Sequence, residues 1–268
     1  MPLRKPSDQG FQIAFSMNNN IEQLIKEKYI NARNRLVLLD YDGTLVNYVS
    51  VPDTANLPEN IYDILYSLLD VPKTKTFIIT GRGHEDIDRL LKHIPINIIA
   101  EHGAMIKEGG VWRNQLVDNF SWKTPIIKIL DRFTGLCPGS YIEEKGFSVA
   151  WHYRSSESET GSKLSRELIT RLRSISQSYN IRILDGKKVV EVLTNETGKG
   201  SAVKRLIDGK SYDFVLSIGD DATDEEMFEF LLHHKYAVTI KVGEGATFAK
   251  FKFNNINEVI LLLKLLLV

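Results

Sequence analysis

The sequence predicts an α/β fold: a Rossmann-like doubly wound parallel sheet interrupted by a smaller inserted α+β module. Three observations carry that reading. Four short apolar runs are continuous rather than alternating, which marks strands covered on both faces. Amphipathic stretches of helical spacing separate them, giving the strand and helix rhythm of a doubly wound sheet. The rhythm breaks in mid-chain, where strands shorten and alternate as half-exposed antiparallel strands do.

Taken in order, residues 1–34 form an N-terminal extension with one helix at 21–29, loosely structured elsewhere. Buried strands are expected at 36–39, 76–79, 96–100 and 214–218, each followed at its end by glycine or an acid. Helices are expected at 61–69 (IYDILYSLL) and 86–94 (DIDRLLKHI). The core therefore comprises 35–111 and 196–268, and the insert comprises 112–195. Within the insert, strands are expected at 147–153, 181–184 and 189–193, and a long polar helix at 163–178. The polar stretch 155–162 (SSESETGS) reads as a loop. The final run, VILLLKLLLV, is interrupted by Lys264 and falls short of the ~20 apolar residues of a membrane span, so it reads as a buried helix.

Composition narrows the class. The 268 residues carry 34 basic and 34 acidic side chains, a net charge of zero, which leaves no bulk attraction toward nucleic acid. Cys137 is the single cysteine, so no internal disulfide forms and a reducing, cytoplasmic setting is expected. The basic start, MPLRKPSDQG, is not followed by the apolar stretch of a secretion signal.

Ligands of open parallel sheets bind beyond the carboxyl ends of the strands. There the first run ends in Asp40-Tyr41-Asp42-Gly43-Thr44. Asp40 and Asp42, two apart in extended chain, can share one crevice. Alone, the pair equally reads as turn acids. The fourth run ends in GDDATDEE, five acids in seven residues from Asp220. Thr223 and Glu226 have capping-box spacing, and Asp224 and Glu225 suit a first helical turn, which leaves Asp220 and Asp221 over. Carboxylates from adjacent strands would converge as the hard oxygen ligands that magnesium accepts. Thr80-Gly81-Arg82-Gly83 offers a hydroxyl, backbone amides and a guanidinium to phosphate oxygens, and Lys199 heads a helix.

In that chain order the residues resemble the haloacid dehalogenase superfamily of phosphotransferases, through DYDGT at 40–44, Thr80, Lys199 and GDDATDE at 219–225. Within it the chain resembles the trehalose-6-phosphate phosphatase family. RLVLLDYDGTL, TGR, AEHGA, EEKGFSVAWHYR, GKKVVEV, TGKGSAV and GDDATDEEMF occur in order from about residue 35 onward. It departs at Val46-Asn47-Tyr48, where the family often has Thr-Pro, and within LTNET, where a proline is expected after Val192. The resemblance implies magnesium held by Asp40, the Asp42 carbonyl and Asp220, with Asp221 and Asp224 bracing that site. It implies Asp40 as nucleophile, Asp42 as general acid and base, and Thr80 and Lys199 as phosphoryl holders. Substrate contacts are expected from Arg82, Glu101, His102, Glu143, Lys145, Arg154, Lys187 and Glu191, the last five in a cap whose closure over the core would exclude water. Of Trp151 and His152, which alternate sides, one is expected in the core. The implied substrate is trehalose 6-phosphate. A trehalose-phosphate synthase partner or fusion is possible by resemblance, because the opening IEQLIKEKYINARNRL is similar to the lead-in of domains fused behind a synthase. A phosphatase of other sugar phosphates, and a catalytically silent regulatory domain, are the alternatives.

Overall fold

The computed structural model describes residues 15–16, 19–49, 54–92, 94–116 and 120–267. The described chain divides into two compact units: Leu116–Thr197, and a larger one made of the stretch up to Gln115 and Gly198–Val268.

The larger unit is built on a nine-stranded sheet in the order β1-β13-β12-β11-β2-β3-β4-β5-β6. The four expected buried strands are β2 (Arg35–Asp40), β3 (Thr74–Ile79), β4 (Asn97–Ala100) and β11 (Phe214–Gly219). They lie side by side and parallel, with Leu39 opposite Ile78 on one side and Ile218 on the other. Between β3 and β11 the chain reverses its direction of travel across the sheet, so the residues after β2 and β11 flank a topological switch point. Parallel β12 (Ala237–Val242), β13 (Phe251–Phe253) and the short β1 (Phe15–Ser16) extend one side. An antiparallel hairpin, β5 (Met105–Glu108) and β6 (Val111–Asn114), finishes the other. Because β6 stays in this sheet, the chain leaves the larger unit at 115–116 rather than at 112, and returns at 197–198 rather than 195–196.

Leu36, Leu38, Phe77 and Ile79 form a core with Val203 and Leu206 of α6 (Lys199–Ile207) and Met227 and Phe228 of α7 (Glu225–Leu231). Burial of such side chains contributes roughly 1.5–3 kcal/mol each. Also in this unit are α2 (Glu59–Leu69), which packs on β3, α3 (His84–Leu91) and α8 (Ile256–Leu265). The last is capped by Asn255 and buries Val259, Leu262 and Leu263, as the terminal apolar run predicts. Among the described residues no helix is long and apolar enough to cross a membrane. The expected N-terminal helix is α1 (Asn19–Asn31), and it belongs to the core rather than to a loose extension. Ile25 and Tyr29 are buried, and the Tyr29 ring meets Phe214 edge-on at 5.4 Å. The rest of the expected loose segment, residues 1–14, 17 and 18, lies outside the described residues.

The smaller unit is an antiparallel sheet ordered β7-β8-β10-β9, from β7 (Tyr141–Glu144), β8 (Ser148–His152), β9 (Ile181–Gly186) and β10 (Val189–Thr194). One face packs Val149, Trp151, Val190 and Val192 against Ile126 and Leu130 of α4 (Lys123–Leu136) and Leu168 and Leu172 of α5 (Ser158–Tyr179). Helix α4 has no counterpart in the sequence reading; its Pro125 sits in the first turn, where a missing N–H is tolerated. Helix α5 starts inside the stretch expected to be a loop, because Glu157 accepts the N–H groups of Glu159 and Thr160 and so caps it.

Candidate active site

Asp40 is the last residue of β2 and is buried; its register partner on β3 is Ile79, so Thr80 lies one residue beyond it on the neighbouring strand. Lys199, 2 % exposed at the first position of α6, puts Nζ 2.7 Å from Asp40 Oδ1 and 2.8 Å from Asp224 Oδ1. The other oxygen of Asp224 accepts the amides of Asp220 (2.8 Å) and Asp221 (3.0 Å), so both its oxygens are committed, a bracing geometry. Carboxylate oxygens of Asp40, Asp220 and Asp224 lie within 4.8 Å of one another.

Two glycines make this convergence possible. A Cβ on Gly43, at φ +87°, would fall 2.3 Å from the Asp220 carboxylate, and one on Gly219 would fall 2.2 Å from Asp224 Cγ. Gly43 also turns the chain after Asp42: its amide donates to Val46 O at 2.7 Å, and the Leu45 amide donates to Tyr41 O at 3.0 Å.

The acid loop departs from the expected capping box. Asp221 Oδ1, not Thr223, accepts the amides of Thr223 (2.7 Å) and Asp224 (3.1 Å), as well as the Thr223 hydroxyl. Three acceptances at one oxygen satisfy the turn more fully than a single hydroxyl could. Asp221 is thus the structural member of the cluster. Burial alone would raise its pKa, but Lys199 and the Thr223 hydroxyl bring it down to about 2. Burial and the charge of Asp224 push Asp40 well above the usual carboxylate range. Burial and Asp221 raise Asp220 to about 6, and burial raises Asp224 to about 7 despite Lys199. These acids are short of positive charge. Asp220 Oδ1 is buried with no hydrogen-bond partner, as a ligand oxygen waiting for a cation would be. A hard divalent cation held by Asp40 and Asp220, with Asp224 close by, fits both the donor chemistry and the charge.

Arg82, expected to face substrate, uses Nε (2.7 Å) and Nη2 (2.8 Å) on the two oxygens of Asp42 and Nη1 (2.6 Å) on Asp86. This bidentate pair fixes the Asp42 carboxylate in place. Thr80 Oγ1 accepts the Arg82 amide at 3.1 Å. Glu101 and His102 lie in a single 3-10 turn, Glu101–Gly103, with both at positive φ. Glu101 is buried, with Oε1 2.8 Å from His84 Nδ1, and His102 packs against Gly81.

In the smaller unit, Lys145 Nζ lies 3.0 Å from Glu191 Oε1, which also accepts the Ser148 hydroxyl at 2.6 Å. Glu143 Oε2 is 2.8 Å from His152 Nε2; burial would raise its pKa, but His152 and Lys145 lower it. Trp151 is the core member of its pair, as alternation requires, and His152 is partly exposed. Arg154 and Lys187 are exposed in turns, the first after β8 and the second between β9 and β10.

Three residues escaped the sequence reading. Tyr48 hydrogen-bonds Asp220 through its hydroxyl. Asp86 orients Arg82. Lys241, 6 % exposed, donates to the Asp220 carbonyl and lies 3.5 Å from Glu225, anchoring the acid loop from β12. A lone lysine in the apolar run AVTIKV was the available signal for the last.

Residues 38–254 match the family model for trehalose-phosphatase. The chain belongs to the trehalose-phosphatase family. It is 39 % identical over 229 residues to a bifunctional trehalose-6-phosphate synthase/phosphatase of Thermoproteus tenax, covering 85 % of this chain and 31 % of that protein. Over 233 residues it is 35 % identical to a trehalose-phosphatase of Saccharomyces cerevisiae, covering 78 % and 26 %. The chain thus spans about a quarter to a third of the length of these curated relatives. The trehalose-6-phosphate phosphatase C-terminal domain of C. albicans superposes with a TM-score of 0.87 at 28 % identity, covering 95 % of this chain and 98 % of that one. The match with that domain thus runs over nearly the whole of both chains.

Proposed function

We propose that this chain hydrolyses trehalose 6-phosphate to trehalose and phosphate through an aspartyl-phosphate intermediate. The observation that carries the reading is a buried carboxylate, Asp40, 2.7 Å from a buried lysine and clustered with Asp220, whose Oδ1 has no partner. Asp40 attacks phosphorus as the bond to the sugar oxygen breaks, and Asp42 gives that oxygen a proton. Asp42 then takes a proton from water, which attacks the phosphoryl group and frees Asp40. Lys199 spends two of its three donors on Asp40 and Asp224 and keeps a third for a phosphoryl oxygen, beside the Thr80 hydroxyl. Magnesium, when bound, supplies charge neutralisation at the phosphoryl oxygens. Asp42 is aimed by Arg82, which Asp86 fixes from the other side.

Glu143, Lys145, Arg154, Lys187 and Glu191 are the candidate sugar-recognising groups, since a disaccharide offers many donors and acceptors and unpaired buried ones are costly. A synthase module in the same polypeptide, or as a partner, is supported by the bifunctional relative. The single cysteine agrees with a cytoplasmic site of action.

The test is phosphate release from trehalose 6-phosphate with and without magnesium. Turnover should need the metal, and Asp40→Asn should lower it by about 10³-fold or more. Metal-independent turnover, or an active Asp40→Asn protein, would overturn the mechanism.

A further inference from the structure

Among the described residues of the smaller unit, both helices pack on the same face of its sheet. Strand alternation places Ile142, Val149, Trp151, Val190 and Val192 on the side packed by α4 and α5, and therefore sets Tyr141, Glu143, Ala150, His152 and Glu191 on the other. Register orders that face into rows. Ala150 lies between Glu143 and Glu191, so the two carboxylates flank one small, buried side chain. In the next row Tyr141 is directly opposite His152.

Those two rings are stacked, 4.7 Å between centroids and 14° from parallel. His152 stacks on the tyrosine ring, yet Tyr141 remains 50 % exposed, so half of the residue stays accessible to a ligand. His152 in turn holds Glu143 at 2.8 Å. The result is a supported, outward aromatic surface with a fixed carboxylate beside it and Lys145 and Glu191 beyond. A pyranose ring has hydroxyls around its rim and C–H groups on its faces. Charged groups match the rim, whereas an aromatic face matches the C–H side.

We propose that Tyr141, backed by His152, is a sugar-stacking subsite that sets the preference for a phosphorylated disaccharide. The proposal rests on the function above and adds a residue pair to it. Its logic is preorganisation: the tyrosine is already held flat by His152, so little freedom is lost when a sugar ring docks.

The experiment compares wild type, Tyr141→Ala and Tyr141→Phe on trehalose 6-phosphate, glucose 6-phosphate and p-nitrophenyl phosphate. Tyr141→Ala should lower kcat/KM for trehalose 6-phosphate about ten-fold more than for p-nitrophenyl phosphate, with the loss in KM. Tyr141→Phe, which keeps the ring, should stay within about two-fold of wild type. Equal losses on all three substrates, or a Phe variant as poor as Ala, would overturn the subsite. A wild type that prefers glucose 6-phosphate, while Tyr141→Ala still shifts the ratio against sugar phosphates, would overturn the disaccharide preference and keep the stacking role.

Discussion

Asp40 and Glu191 are both carboxylates held by a lysine, at 2.7 Å and 3.0 Å, in the larger and the smaller unit respectively. Their surroundings differ in charge balance. Around Lys199 stand Asp40, Asp224 and Asp221, with Asp220 beside them, and the excess of negative charge shows in the raised pKa values of three of the four. Around Lys145 the signs are interleaved, with Glu191 on one side and the Glu143 and His152 pair on the other. An unbalanced buried cluster is a site for a cation and for charge-transfer chemistry. A cluster in which Glu191 and Glu143 already hold partners suits recognition of a neutral polyol.

The largest way to break this comparison is Lys199→Met. It removes the one cation shared by Asp40 and Asp224, and leaving buried charges unpaired typically costs about 3–5 kcal/mol. Thermal unfolding at neutral pH should fall steeply and phosphate release should vanish. A variant as stable as wild type would mean the acids are neutral and the cluster is not charge-starved.

A smaller effect is expected from pH. In metal-free protein, Asp220 (about 6) and Asp224 (about 7) bind protons more tightly folded than unfolded. Between about pH 4 and 7 the native state therefore holds more protons, and stability falls as pH rises through that window. Asp221, depressed to about 2, has the opposite sign: its contribution is present above about pH 4 and is lost as pH falls toward 2. Melting temperature should decline by on the order of a few degrees from pH 5 to 7.5 in chelator, and magnesium should restore it more at pH 7.5 than at pH 5. A flat profile would count against the cluster's excess charge.

The smallest structural effect is expected from Glu191→Gln. Its amide oxygen can still accept from Ser148 and Lys145, so stability should change by about 1 kcal/mol, measured by denaturant unfolding. Turnover of trehalose 6-phosphate should nonetheless fall further than that of p-nitrophenyl phosphate. Equal losses would place Glu191 in the fold rather than in recognition.

Legibility followed the same division. The four central strands were readable because a strand buried on both faces must be almost wholly apolar, as 36–39 is and as 214–218 is apart from the buried Ser217. The hairpin at 105–114, strand β7 and helix α4 were not, since polar edge strands and a proline near a helix start leave weak patterns. Asp40 and Asp220 were legible from their places after apolar runs, and Lys199 from its place at the head of a helix. Asp221 was misjudged as surplus because its use, accepting two amides and a hydroxyl, depends on turn geometry that spacing does not state. The fate of Arg82 likewise hangs on a partner 40 residues away.

By itself, then, the sequence determined the buried parallel strands, the inserted antiparallel unit and the identity of the chemical groups, because periodicity and residue type are local. Tertiary structure decided which groups meet. It paired Arg82 with Asp42, gave Asp224 to Lys199 and two amides, set Lys241 under the acid loop and laid Tyr141 against His152. Each of those depends on strand order, register and turn conformation, through which hydrogen bonding and charge act across the chain rather than along it.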